Sequence, residues 1–171
     1  MPHLGVDFLL AFMETTLRPA ESSDFEFSFT AKHQALGPHV AARWGWDDSF
    51  QRELHRKRWA ERPWSIIMLG NRPIGTVSIE ETHSHIRFGE FYLLPPHQGH
   101  GIGTKVLRSV LKRADAQALP VKLEYLKWNP VGSLYKRHGF VVFEENDIHY
   151  FLVRHPMSAN FSSTGRAEAR R

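Results

Sequence analysis

The stretch Gln98-Gly99-His100-Gly101-Ile102-Gly103-Thr104 restricts this chain more than any other. An extended apolar run, Phe91-Tyr92-Leu93-Leu94, and a Pro95-Pro96 break precede it, and a helical pattern follows. Strand, glycine loop and helix in that order turn several backbone N–H groups and the positive end of a helix dipole toward one point, so a phosphate-bearing ligand is expected there. Glycine lets the backbone enter unusual φ/ψ regions and approach a diphosphate closely. No Gly-Lys-Ser/Thr follows the loop, which excludes a P-loop, and no acidic residue about twenty positions on closes a Rossmann unit.

A second motif follows one helix and one strand later, Asn129-Pro130-Val131-Gly132-Ser133-Leu134-Tyr135-Lys136-Arg137-His138-Gly139-Phe140. The pair, in this order and at this separation, resembles the GNAT superfamily of N-acetyltransferases over residues 64 to 154. The resemblance implies an α+β, three-layer fold: a mixed, mostly antiparallel sheet of about seven strands with helices on both faces. It also implies a V-shaped splay between two central parallel strands, here residues 86–94 and 121–127.

By the same resemblance acetyl-CoA is the co-substrate and lies in that splay. The backbone N–H groups of Gly99, Gly101, Ile102, Gly103 and Thr104, with the Gln98 side chain, are expected to hold the diphosphate, with His100 beside it. Main-chain groups of Leu93 and Leu94 are expected to pair with the pantetheine arm, with Asn129 and Ser133 on its other side. Tyr135 matches the tyrosine that protonates the leaving thiolate. The implied reaction is direct attack of a primary amine on the thioester in a ternary complex. An alkyl ammonium with a pKa near ~10 must first lose a proton to a carboxylate or a water relay. Superfamily bases are not fixed in position; Glu90 is the first candidate here, and Glu80 and Glu81 come next.

The N-terminal third is the more individual part. Met13 to Ala20 reads as the opening strand, which makes residues 1–12 an N-terminal extension of a single domain ending at 154. Ser22-Ser23-Asp24 is a turn, and a helix over Phe27 to Gln34 is expected to stop at Gly37-Pro38. Asp47 or Asp48 can cap a helix over Ser49 to Trp59, with Phe50 and Leu54 inward and Arg52, Arg56 and Lys57 outward. Trp44 and Trp46 have two readings, core packing or a wall of the acceptor pocket, and Glu81 joins them as a substrate-side candidate.

From Trp64 the pattern is a meander: Trp64–Leu69, a turn at Gly70-Asn71-Arg72-Pro73, then Ile74–Glu81 and His85–Leu94. After the loop, Ile102, Val106, Leu107, Val110, Leu111, Ala114 and Ala118 recur at helical spacing, and Leu119-Pro120 ends the run. A strand at Val121–Leu126, a helix at Val131–Arg137 closed by Gly139, and a hairpin of Val141–Glu144 with His149–Val153 complete the domain. Residues 155–171, small, polar and charged, are expected to be a disordered tail.

A net charge of +4 invites a nucleic-acid reading, but the basic residues are scattered and no recognisable nucleic-acid module surrounds them. Nucleic acid is therefore not the expected partner. The absence of cysteine excludes a disulfide framework and a thiol nucleophile, and no apolar run reaches membrane-spanning length, so a cytoplasmic monomer or homodimer is expected. The eleven histidines lack cysteine or carboxylate company at ligand spacing, and no metal is expected. Two alternatives stand beside the enzyme: a coenzyme A sensor without turnover, and an acetyltransferase directed to aminoacyl-tRNA through the basic surfaces. The amine acceptor is open at this point.

Overall fold

The computed structural model describes residues 13–158. Both the expected N-terminal extension and the tail beyond residue 158 lie outside the described residues, and His155 to Ser158 follow the last strand without regular structure. In chain order the elements are β1 (Thr15–Pro19), α1 (Phe25–Trp44), α2 (Asp48–Glu61), β2 (Ser65–Leu69), β3 (Arg72–Glu81) and β4 (Ile86–Leu93), followed by α3 (Ile102–Ala116), β5 (Val121–Leu126), α4 (Gly132–Arg137), β6 (Val141–Glu145) and β7 (His149–Arg154). Short 3-10 turns at Ser22–Asp24 and Pro95–His97 lead into α1 and into the glycine loop.

All seven strands form one sheet in the order β1-β2-β3-β4-β5-β7-β6. Every neighbouring pair is antiparallel except β4 and β5. That parallel pair is registered only at Ile86↔Val121 and Arg87↔Lys122, after which the two strands part. The mixed sheet with its central splay is the α+β fold expected from the motifs.

A β-bulge marks where β4 leaves its regular course. The β3–β4 register steps from Thr76↔Tyr92 to Ser78↔Gly89, so Glu90 and Phe91 together face Val77. Glu90 takes the left-handed φ of +47°. Strict alternation from Ile86 and Phe88, both in the core under α3, would put Glu90 and Tyr92 on that same face. The extra residue reverses the alternation, so Phe91 and Leu93 pack on the α3 core while the Glu90 carboxylate meets Arg58 and Arg62 of α2.

The helices cover both faces. The stripe Ile102, Val106, Leu107, Val110, Leu111 and Ala114 of α3 is buried against Ile67, Val77, Phe88, Val121 and Leu152 of the sheet. On the other face α1 packs across β3 and β4 with α2 beside it. Ala118, expected to belong to α3, lies beyond its end at φ +54°, and the Leu119 N–H closes back on the Ala114 carbonyl at 2.9 Å.

Two expectations about the N-terminal helices are corrected. The first helix does not stop at Gly37-Pro38; it runs on to Trp44 with Pro38 inside it. Pro38 denies a donor to the Gln34 carbonyl only, and both residues are exposed, so water can satisfy that group while buried Leu36 and Val40 hold the helix on the sheet. In α2, capped by Asp47 accepting from the Phe50 N–H at 3.0 Å, the inward residue is His55, whereas Phe50 is 62% exposed. The buried face of α2 lies one position out of phase with the expected one.

His55 sits among the rings of Phe25, Phe29, Trp59 and Trp64, with Ser28 Oγ 2.7 Å from its Nε2. Burial first, and the Lys32 charge second, push its imidazole from 6.5 down to about 4. Below pH 6.5 the unfolded chain therefore takes up a proton that the folded chain refuses. Stability should be complete above pH 6.5 and should fall as the pH drops to about 4, by at most ~1.4 kcal/mol per pH unit. Urea denaturation across that window should show the slope in the wild type and a shallower one in His55→Gln.

At the N-terminus of α4, Gly132 rests against the Tyr125 ring: a Cβ there would strike the phenol oxygen and two ring carbons. Gly132→Ala should therefore destabilise the domain by ~1–3 kcal/mol in the same assay, because the buried Tyr125 ring must move.

Candidate active site

Beyond Arg87 the parting of β4 and β5 opens a cavity of about 560 Å³ that runs beneath α1 and α2. Its walls come from Lys32, Leu36, Val40 and Trp44 of α1, from Phe50, Leu54, Arg58 and Arg62 of α2, from Arg87 to Tyr92 without Phe88, and from Glu124 to Leu126. Gly45, Asp47 and Gln51, with Asn129, Val131, Tyr135, Ile148 and His149, complete the lining. The lining is thus mostly apolar, with a few charged groups converging on it, as small-molecule sites usually are.

The motif residues split into two groups. Tyr135 and Asn129 line the cavity. The Tyr135 ring packs edge-on to Phe88 and Phe140 and is tilted on Tyr125, and its hydroxyl bonds to no other described residue. Burial pushes that phenol above its ordinary value, with a smaller contribution from Tyr125. The Asn129 carbonyl oxygen accepts from the Val131 N–H at 3.0 Å, an Asx turn that leaves the amide nitrogen of the side chain facing the cavity. Ser133 is exposed instead, its hydroxyl donating to the Pro130 carbonyl at 3.2 Å.

The glycine loop lies outside the cavity wall, at the end of β4. Gly99 and Gly101 have φ of +75° and +81°, and a Cβ on either would meet nothing within 4 Å, so conformation and not packing requires glycine there, beneath open space. The first bond of α3 runs from the Lys105 N–H to the Gly101 carbonyl, which leaves the N–H groups of Ile102, Gly103 and Thr104 free at the positive end of the helix. His97, just before the loop, is held below its ordinary value, by burial first and by the Arg72 charge second. Such a cradle fits a diphosphate.

Two expected contacts differ in detail. The Gln98 side chain does not reach over the loop; its Nε2 donates to the Leu93 carbonyl at 2.8 Å and ties the loop to β4. The Leu94 N–H bonds to the Ile74 carbonyl of β3 at 2.9 Å, so it faces away from the splay, while alternation turns the Leu93 N–H toward it.

Of the substrate-side candidates, only Trp44 lines the cavity, with its ring edge-on to Trp128 at 5.0 Å. Trp46 stacks on His33 at 4.3 Å with the planes 4° apart, outside the cavity. Glu81 ends β3 against α3, where it takes Arg113 and the Gln117 amide (2.7 Å), and it too stands apart, as does Glu80.

Glu90 is at the cavity, but both its oxygens are engaged. Oε1 takes Arg62 and, at 3.3 Å, Arg58; Oε2 accepts from the Tyr92 hydroxyl at 3.1 Å. The Thr76 hydroxyl holds the Glu90 carbonyl at 3.0 Å and pins the bulge.

Several site residues carry no motif. Lys32 is 1% exposed with no partner for its Nζ among the described residues, and burial, with the Arg58 charge second, lowers it to about 8. Its signal is a lysine inside the apolar stripe Ser28, Phe29, Leu36, Val40. Arg58 lies in the last turn of α2, with Leu54 one turn before it giving the phase, and Arg62 is the extended residue that caps the C-terminus of that helix. On β7, His149 has no side-chain hydrogen bond among the described residues, and burial lowers its imidazole below 6.5. Glu124, on β5 beside it, has no ion-pair partner among them either.

Known proteins share this fold. The chain matches the solved structures of PaiA N-acetyltransferase from Thermoplasma acidophilum in complex with coenzyme A (15% identity, 84% of this chain and 99% of that one, TM-score 0.68). It likewise matches an acetyltransferase from Thermus thermophilus (17%, 82% and 96%, 0.66) and the ribosomal-protein-S18-alanine N-acetyltransferase from Escherichia coli (11%, 86% and 98%, 0.61). At such identities the likeness shows the fold alone. No curated protein sequence matches it. The model of the Acetyltransferase (GNAT) family matches residues 21–140, more than half of the sequence and both motifs up to Phe140. The chain therefore belongs to the GNAT acetyltransferase family.

Proposed function

We propose that this protein transfers the acetyl group of acetyl-CoA to a primary amine by direct attack in a ternary complex. One observation carries the reading: Tyr135 and Asn129 meet at the cavity opened by the β4–β5 splay, and β4 leads from that cavity to the glycine loop. The free N–H groups of the loop and of the first turn of α3 would take the diphosphate, and the Leu93 N–H and the Asn129 amide would take the pantetheine arm. Acetyl-CoA supplies the activated thioester; the chain supplies position and protons.

Tyr135 stays protonated at neutral pH because burial raises its phenol, so it is always a donor. It donates to the sulfur as the C–S bond breaks. As the amine nitrogen bonds to the carbonyl carbon, it must lose a proton. Glu90 is the first candidate acceptor on sequence, but Arg62, Arg58 and Tyr92 occupy its oxygens, and we assign it to holding those arginines instead. We assign the proton to His149, which lines the cavity and which burial keeps below its ordinary value, so that it is neutral at pH 7.

Isothermal titration should give saturable binding of acetyl-CoA, weakened at least ~10-fold in Gly101→Val, because the φ of +81° strains any side chain. Absence of binding in the wild type would sink the assignment. In a thiol-release assay Tyr135→Phe should lower kcat by about 100-fold with coenzyme affinity retained. His149→Gln should remove the acidic limb of the kcat/KM profile, which lies below pH 6.5 because the base must be neutral to act.

A further inference from the structure

Lys32 narrows the class of acceptor, on the basis of the acetyl transfer proposed above. It stands in the apolar stripe of α1, one turn from Ser28 and one from Leu36, and its Nζ has no partner among the described residues. A buried ammonium without a counter-ion is costly, and a lysine without function at this position would give way to an apolar residue. From α2, Arg58 and Arg62 face the same cavity. Glu90 is the one carboxylate bonded to either arginine among the described residues, and it is shared between them. Lys32, Arg58 and Arg62 thus share Glu90; Arg87 of β4 adds a further cation to the lining, and Asp47, the other acid of the helix wall, is held by its cap on the Phe50 N–H.

A simple ammonium would be repelled by such a wall, whereas a carboxylate would neutralise it. The same lining also carries Glu124 and His149, which have no side-chain partner among the described residues and are free to receive an amine beside the cations. The rest of the α1 and α2 lining carries Leu36, Val40, Phe50 and Leu54. One molecule satisfies all three zones: an amine, an apolar body and an anionic group.

We infer that Lys32, Arg58 and Arg62 form a carboxylate subsite, and that the acceptor is a free amino acid with an apolar side chain, bound through its α-carboxylate. A peptide N-terminus or an amino acid carboxamide lacks the α-carboxylate, and the carboxamides serve as the contrast.

The experiment is a thiol-release assay at saturating acetyl-CoA over the proteinogenic L-amino acids and their carboxamides. Apolar free acids should exceed their amides in kcat/KM by about 30-fold or more. Lys32→Met should bring the acids to the level of the amides through KM, and Arg58→Gln should act in the same direction. Titration with coenzyme A and a melting curve show whether each variant is folded. Lys32→Met should melt at the same temperature or higher, since it removes a buried unpaired charge; a merely structural lysine would lower it. The inference is overturned if amides match the acids, if no free amino acid is acetylated by protein that binds acetyl-CoA, or if Lys32→Met retains wild-type kcat/KM. Failure to bind acetyl-CoA would overturn the acetyl-transfer reading itself, a result the titration separates from the other three.

Discussion

The site depends on one carboxylate at one irregular turn of backbone. Glu90, at a φ that non-glycine residues seldom adopt, carries the extra residue of the β4 bulge. Such a conformation costs on the order of 1–3 kcal/mol and persists only where its surroundings over-determine it. Here they do: Thr76 holds the carbonyl, Tyr92 one carboxylate oxygen, and Arg62 with Arg58 the other. The bulge turns β4 away from β5, and its carboxylate brings two arginines of α2 to the resulting gap. Splay and charged wall are consequences of the same residue.

That arrangement also explains why α1 and α2 sit where they do. Their mutual packing is built around aromatic rings and a neutral His55, while Leu36 and Val40 of α1 both bury on the sheet and line the cavity. The cavity side of the same helices tolerates Lys32 without a partner among the described residues, a local cost that ordinary core design would remove. The aromatic side of the helix pair holds it on the sheet, while the side toward the cavity carries charges that packing does not require.

Opposite this wall, the two motifs act at different places. The glycine loop offers donors and open space to a diphosphate, while α4, seated tightly on Tyr125 through Gly132, sets Tyr135 at the cavity. The C-terminal half of β4 connects them, and Gln98 ties the loop to that strand at Leu93.

How much of this the residues declare by themselves follows from the range of the forces involved. Local rules fix α3 by its apolar period, the loop by its glycines, and the α4 end by Gly139 at φ +86°; each depends on neighbours a few positions away. The ordered pair of motifs carries the family and the seven-strand sheet. The bulge, by contrast, is invisible locally, because Gly89-Glu90-Phe91 reads as ordinary strand until pairing with β3 fails to keep step. The N-terminal helices escape local rules for the same reason: Pro38 ends a helix by propensity, but burial of Leu36 and Val40 on the sheet overrides one lost hydrogen bond. Lys32, Arg58, Arg62, Glu90 and His149 come from four elements, and only long-range packing brings their charges into one cavity. The chain alone determined where the glycine loop lies and which tyrosine belongs to the motif; tertiary structure decided which charges face the cavity, because electrostatics acts across space and not along sequence.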